Sequence, residues 1–113
     1  MGTFRLFTNN QGLSQLEAID LSKTPAWTVE QATTSIIFRK APIGHFIDYH
    51  PAPRRQFVII LSGQLEIGLK DGSLHVFGPG DARLVEDITG SGHTTATYGY
   101  EPCITVTVPI ADQ

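Results

Sequence analysis

A chain of 113 residues with 41% apolar and 17% charged side chains is long enough for one domain with a sizeable core and too apolar to be disordered. Its net charge of −3, with no basic run beyond a doublet, excludes nucleic-acid binding by bulk electrostatics. The longest strongly apolar run, Phe57–Leu61, is too short to span a bilayer, and the single Cys103 cannot form an intramolecular disulfide. Cys103 lies in CITVTV and reads as a small buried hydrophobe. The N-terminus lacks the basic-then-apolar pattern of a signal peptide, so a cytoplasmic location is expected.

Thr3–Phe7 alternates loosely and reads as a first strand, followed by a turn at Asn9–Gly12. Leu13–Leu21 fits two patterns. Ser14 and Glu17 have capping-box spacing, and Leu13, Leu16, Ile19 and Leu21 partly fit a helical face, but the same residues suit an edge strand. Pro25 ends this segment, and Trp27 is expected to pack on the body of the domain. From Thr33 onward the chain reads as β structure. Ser35–Arg39, His45–His50, Gln56–Ser62, Gln64–Leu69, Ser73–Phe77, Ala82–Val85, His93–Tyr98 and Cys103–Val108 are short strands separated by glycine- and proline-rich turns. Pro51 and Pro53 stop the second of these by removing amide donors. Many short strands at regular spacing predict a sandwich or closed barrel.

Alternation assigns faces. Asp48 and His50 share one face of their strand, with His45 and Tyr49 opposite; His93, Thr95 and Thr97 share another. His45 and His75 are expected off-site, with Leu74 and Val76 taking the core face around His75. Gln56–Ser62 is apolar on both faces, so one face fills the interior and the other needs a cover. That cover is the N-terminal segment or a second copy of the chain, and a homodimer is expected. Arg54 and Arg55 follow the proline bend, where an inward guanidinium would clamp a carboxylate or phosphate; pairing with Glu86 or Asp87 is the plainer alternative. Glu86 and Asp87, just before His93, suit either turn capping or acid–base work, and Asp81 reads as a turn residue.

Gly44, His50, Gln56 and Gly63 have the spacing of the first cupin motif, G-x5-H-x-H-x3,4-E-x6-G. Gly80, Gly90 and His93 follow the second, G-x5,7-P-x-G-x2-H-x3-N, with Ile88 at the proline place and Thr97 at the asparagine place. The chain thus resembles the small single-domain cupins. The resemblance implies an all-β, cupin-type jelly-roll (double-stranded β-helix) barrel over one domain, residues 1–113, with 1–33 as N-terminal strands or cover and 34–108 as the barrel. It also favours a strand at 13–21. Cupin metal ligands are usually three histidines and a glutamate. Here His50 and His93 are retained, Ala52 stands at the second histidine place, and Gln56 replaces the glutamate with a neutral, weaker donor. Asp48 is the residue that would restore an anionic ligand.

The reading that follows is a cupin that binds a small polar molecule in its barrel. Arg54, Arg55 and Gln56 would contact the ligand, and His50, Gln56, His93 and Asp48 would form a reduced site for a divalent transition metal (Fe, Mn, Ni or Zn). The alternatives are a metal-dependent dioxygenase, isomerase or lyase, and a non-catalytic interaction module. No phosphate-cradling loop, nucleophile elbow, CxxC or HExxH motif is present.

Overall fold

The computed structural model describes residues 2–111 and is all-β, a jelly roll of two packed sheets. The strands are β1 (Thr3–Thr8), β2 (Ser14–Ile19), β3 (Ile37–Ala41), β4 (Phe46–His50), β5 (Gln56–Ser62), β6 (Gln64–Gly68), β7 (Leu74–Phe77), β8 (Ala82–Glu86), β9 (His93–Tyr98) and β10 (Cys103–Pro109). Six form one sheet in the order β2-β1-β8-β5-β10-β3, and four form the other as β4-β9-β6-β7. Every pairing is antiparallel except that of β1 with β8.

The ambiguous segment at 13–21 is a strand. Its register with β1 sets Leu16 opposite the fully buried Leu6, so sheet pairing overrides the local capping-box signal. Between β2 and β3 lie a short 3-10 turn, Leu21–Lys23, and one helical turn, α1 (Pro25–Thr28), started by the proline. α1 carries Trp27 onto Phe57, ring centroids 5.2 Å apart and edge to face. The outer face of β5 is thereby partly covered by the N-terminal segment.

From β3 onward most connections carry the chain from one sheet to the other, which is what closes a jelly roll. The sharpest is Gly63, the single residue between β5 and β6. Its φ of +71° suits glycine, and a Cβ there would run into the backbone of Pro102 and Cys103.

The core lies between the sheets. Leu6, Val58, Ile60 and Val85 from the first sheet meet Leu65, Ile67 and Phe77 from the second, and Phe4 packs edge-to-face on Phe77 at 5.1 Å. Cys103 is wholly buried in this cluster, as its apolar neighbours suggest. Strand β7 departs from expectation: Phe77 is buried, His75 half-buried, and Leu74 and Val76 are exposed. The register Leu65↔Phe77 and Ile67↔His75 explains this, because Leu65 and Ile67 face the core and bring their partners to that side. Among the described residues, no helix is long and apolar enough to cross a membrane.

Ile60 is 1% exposed at the centre of the six-stranded sheet. Ile60→Ala should cost about 2–5 kcal/mol, measured as a lowered urea midpoint with an unchanged slope.

Candidate functional site

The two sheets enclose an open cavity of about 820 Å3 near the ends of β4, β5 and β9. Its floor and walls come from β8 (Arg83, Val85), β5 (Gln56, Val58), β10 (Thr105, Thr107), β9 (His93, Thr95) and the Pro51–Pro53 bend. Edge strand β3 contributes Arg39.

His50 and His93 come together across a strand pairing. They sit in register on β4 and β9, with ring centroids 5.0 Å apart and planes tilted by 49°. Gly92 permits this. It has φ +72°, and a Cβ there would collide with the carbonyl of His50 and the nitrogen of Pro51. The two backbones therefore touch beside the paired histidines.

Each imidazole is oriented through its Nδ1. His50 Nδ1 lies 2.8 Å from the carbonyl oxygen of Asp48, and His93 Nδ1 lies 2.6 Å from Asp87 Oδ2. A carbonyl can only accept, so His50 carries its proton on Nδ1 and leaves Nε2 as an acceptor when neutral. Asp87 Oδ2 likewise accepts from Nδ1 of His93 and, at 2.6 Å, from the hydroxyl of Ser14. Both Nε2 atoms are then left to take a hydrogen bond or a proton from a guest.

Asp87 is completely buried, and its main-chain oxygen also accepts from Ala52 N–H at 2.9 Å. The loop carboxylate suited to capping or acid–base work is thus the support beneath His93. Its neighbour Glu86 points away and accepts from Arg5 Nε at 2.8 Å and Arg55 NH2 at 3.3 Å.

Deep in the cavity lies Arg83. It is 4% exposed; among the described residues its Nε and Nη1 are buried with no hydrogen-bond partner, and its Cζ lies 4.9 Å from the centre of the Phe77 ring. Burial pushes its guanidinium down to about 10, against the opposing pull of Cys103, Asp87 and Asp81, so it remains charged at neutral pH. Its face follows from register, since it pairs with Val58, an inward residue of β5. The period-2 pattern could not reveal this, because Ala82–Val85 offers apolar residues on both sides of Arg83.

The other expected site residues are placed as follows. Gln56 lines the cavity, and its Oε1 accepts from Arg54 Nε at 3.3 Å. Arg54 is exposed and Arg55 pairs with Glu86, and neither lines the cavity. Asp48 is exposed, caps the amide of Tyr49 at 2.8 Å and does not line the cavity. A register irregularity between Ile47 and His50 breaks the alternation, so His45, Ile47 and His50 line the cavity together and Asp48 does not share the face of His50. His45, expected off-site, is therefore part of the lining. His75 lies elsewhere, against Ser73. Asp81 is a turn residue, accepting from the amides of Gly2 and Gly78.

These donors do not fit a divalent ion. His50 and His93 supply two imidazoles, Ala52 supplies none, and Gln56 adds only a neutral amide oxygen. Among the described residues no three His, Cys, Asp or Glu side chains converge. The positive charge of Arg83 in the same cavity would oppose a cation.

Comparison with solved structures agrees with this architecture. The polyketide cyclase RemF from Streptomyces resistomycificus superposes with TM-score 0.54 at 17% identity, over 93% of this chain and 72% of that one. A cupin domain from Bordetella pertussis Tohama I gives 0.52 at 15% identity, over 74% and 86%. A protein from Neisseria meningitidis gives 0.52 at 17% identity, over 84% and 100%. The chain has a cupin-type fold. No family model matches it, and no curated protein matches it either.

Gly92→Ala should lower stability by about 2 kcal/mol or more, through left-handed strain plus the collision with His50. Gly44 has a similar φ of +81° and open space around it, so Gly44→Ala should cost less. Chemical denaturation ranks the two, and only Gly92→Ala should shift the imidazole NMR signals of both histidines.

Proposed function

We propose that this protein binds a small organic anion in its barrel, with Arg83 as the anchor. One observation carries the reading. Among the described residues the cavity is lined by Arg39, Lys40, Arg83, His45, His50 and His93 and by no Asp or Glu, although the chain as a whole carries −3. A lining of that sign in an acidic protein favours anions.

Arg83 supports it further. A buried guanidinium with two unpaired nitrogens is costly unless something completes its hydrogen bonds. A carboxylate or phosphate that reached it would meet the guanidinium with matching fork geometry. The Nε2 atoms of His50 and His93, the amide of Gln56 and the hydroxyls of Thr105 and Thr107 would hold the rest of the ligand. The expected arginine clamp thus passes from Arg54 and Arg55 to Arg83.

Removing the anchor separates function from stability. The folded state holds Arg83 below its ordinary value, so its charge opposes folding at neutral pH, and that cost fades only as pH rises through about 10. Arg83→Met should leave the ligand-free protein equally stable or up to about 1–4 kcal/mol more stable. It should also abolish the thermal shift that a panel of small organic acids produces in the native protein, whereas Arg54→Ala should retain that shift. A native protein that no organic acid stabilises would refute the reading.

We also propose a homodimer through the outer side of the six-stranded sheet. Phe38 and Leu61 lie on that face with 67% and 48% exposure, and Ile36 beside them has 64%. Sedimentation should give a dimer at micromolar concentration, and Phe38→Glu a monomer.

A further inference from the structure

We infer that the ligand carries two anionic groups, one held by Arg83 and the other by Arg39. This rests on the anion-binding reading above and narrows it to small dianionic acids.

The two arginines occupy opposite ends of the same inner surface. Arg83 lies deep on β8, and Arg39 lies on edge strand β3, with β5 and β10 between them. Arg39 pairs with Thr105, which is 6% exposed and faces inward beside Ile60. Alternation therefore directs Arg39 to the cavity side of β3, with Phe38 on the outer side. Three strand spacings of about 4.8 Å separate the two backbones by roughly 14 Å. Arg39 makes no hydrogen bond or ion pair with another described residue, while the surface arginines Arg5 and Arg55 both pair with Glu86.

The interval between the charges is lined by neutral hydrogen-bonding groups. Thr105 and Thr107, both nearly buried, stand on β10 between the arginines, Gln56 lies on neighbouring β5, and His50 and His93 belong to the opposite sheet. A monoanion bound at Arg83 would leave the outer guanidinium to water. An acid charged at both ends would use both guanidinium groups and the neutral groups between them. The second anionic group is a carboxylate or a phosphate, since a guanidinium accepts either.

Calorimetric titration of the full chain with α,ω-dicarboxylates of rising length, the monocarboxylates of equal length and the matching phosphonocarboxylates tests this. The diacids should bind at least tenfold more tightly than the monoacids, with affinity passing through a maximum at one chain length. Preference for the phosphonocarboxylate would place a phosphate at one end and equally support a dianion. Arg39→Gln should erase the diacid advantage, lowering diacid affinity at least tenfold more than monoacid affinity, and Arg83→Gln should remove binding of both. Equal affinity for mono- and diacids, unaffected by Arg39→Gln, would overturn this inference and leave the anion-binding reading standing. Failure of every acid to bind would overturn both.

Discussion

The buried carboxylate of Asp87 is the contact on which the site depends. Its side chain accepts from Ser14 on β2 and His93 on β9, and its main chain accepts from Ala52 in the bend between the sheets. One residue thus joins the N-terminal hairpin, a strand of the opposite sheet and the proline-limited corner. A fully buried carboxylate persists only where donors replace its lost water, and here a hydroxyl and an imidazole do so at one oxygen. The consequence is a His93 ring held by Nδ1, beside a His50 ring held the same way, with both Nε2 atoms left for the cavity.

Against that cluster stands a buried cation, Arg83, whose guanidinium lies 4.9 Å from the centre of the Phe77 ring. Arg83 shares the interior with Asp87, yet no side-chain hydrogen bond joins them; among the described residues Asp87 keeps one buried oxygen and Arg83 two buried nitrogens without a hydrogen-bond partner. Keeping that charge in the core is costly, and the proposed anion would offset the cost. That charge also accounts for the chemistry at the cupin ligand places. Ala52, 4% exposed, packs into the core and uses only its backbone amide, and Gln56 offers a neutral amide. A cavity that keeps a fixed internal cation has no need of a metal's positive charge to hold an anion.

Much of the fold was legible because its signals are local. Proline and glycine turns, β-branched runs and the spacing of Gly44, His50, Gln56 and Gly63 each act over a few residues, and they placed strands, bends and the paired histidines. Segment 13–21 was harder, because a capping box and an edge strand look alike until β1 provides a partner. Strand β7 was misread since Leu74 and Val76 are more apolar than His75. Register with Leu65 and Ile67 outweighs that difference and turns both outward.

The site was legible only in part, for the same reason. The sequence by itself determined that the chain is all-β, that it turns sharply at Pro51 and Gly63, and that His50, Gln56 and His93 belong together. Tertiary structure alone decided which charges face inward. The irregularity in β4 removed Asp48 from the face of His50 and brought His45 in; pairing with Glu86 took Arg55 outward; and register with Val58 turned Arg83 into the cavity. Side-chain direction in a strand is a choice between two faces, and a strand apolar on both sides carries no local signal for that choice. The neighbouring strand makes it, through hydrogen bonds between residues far apart in the chain.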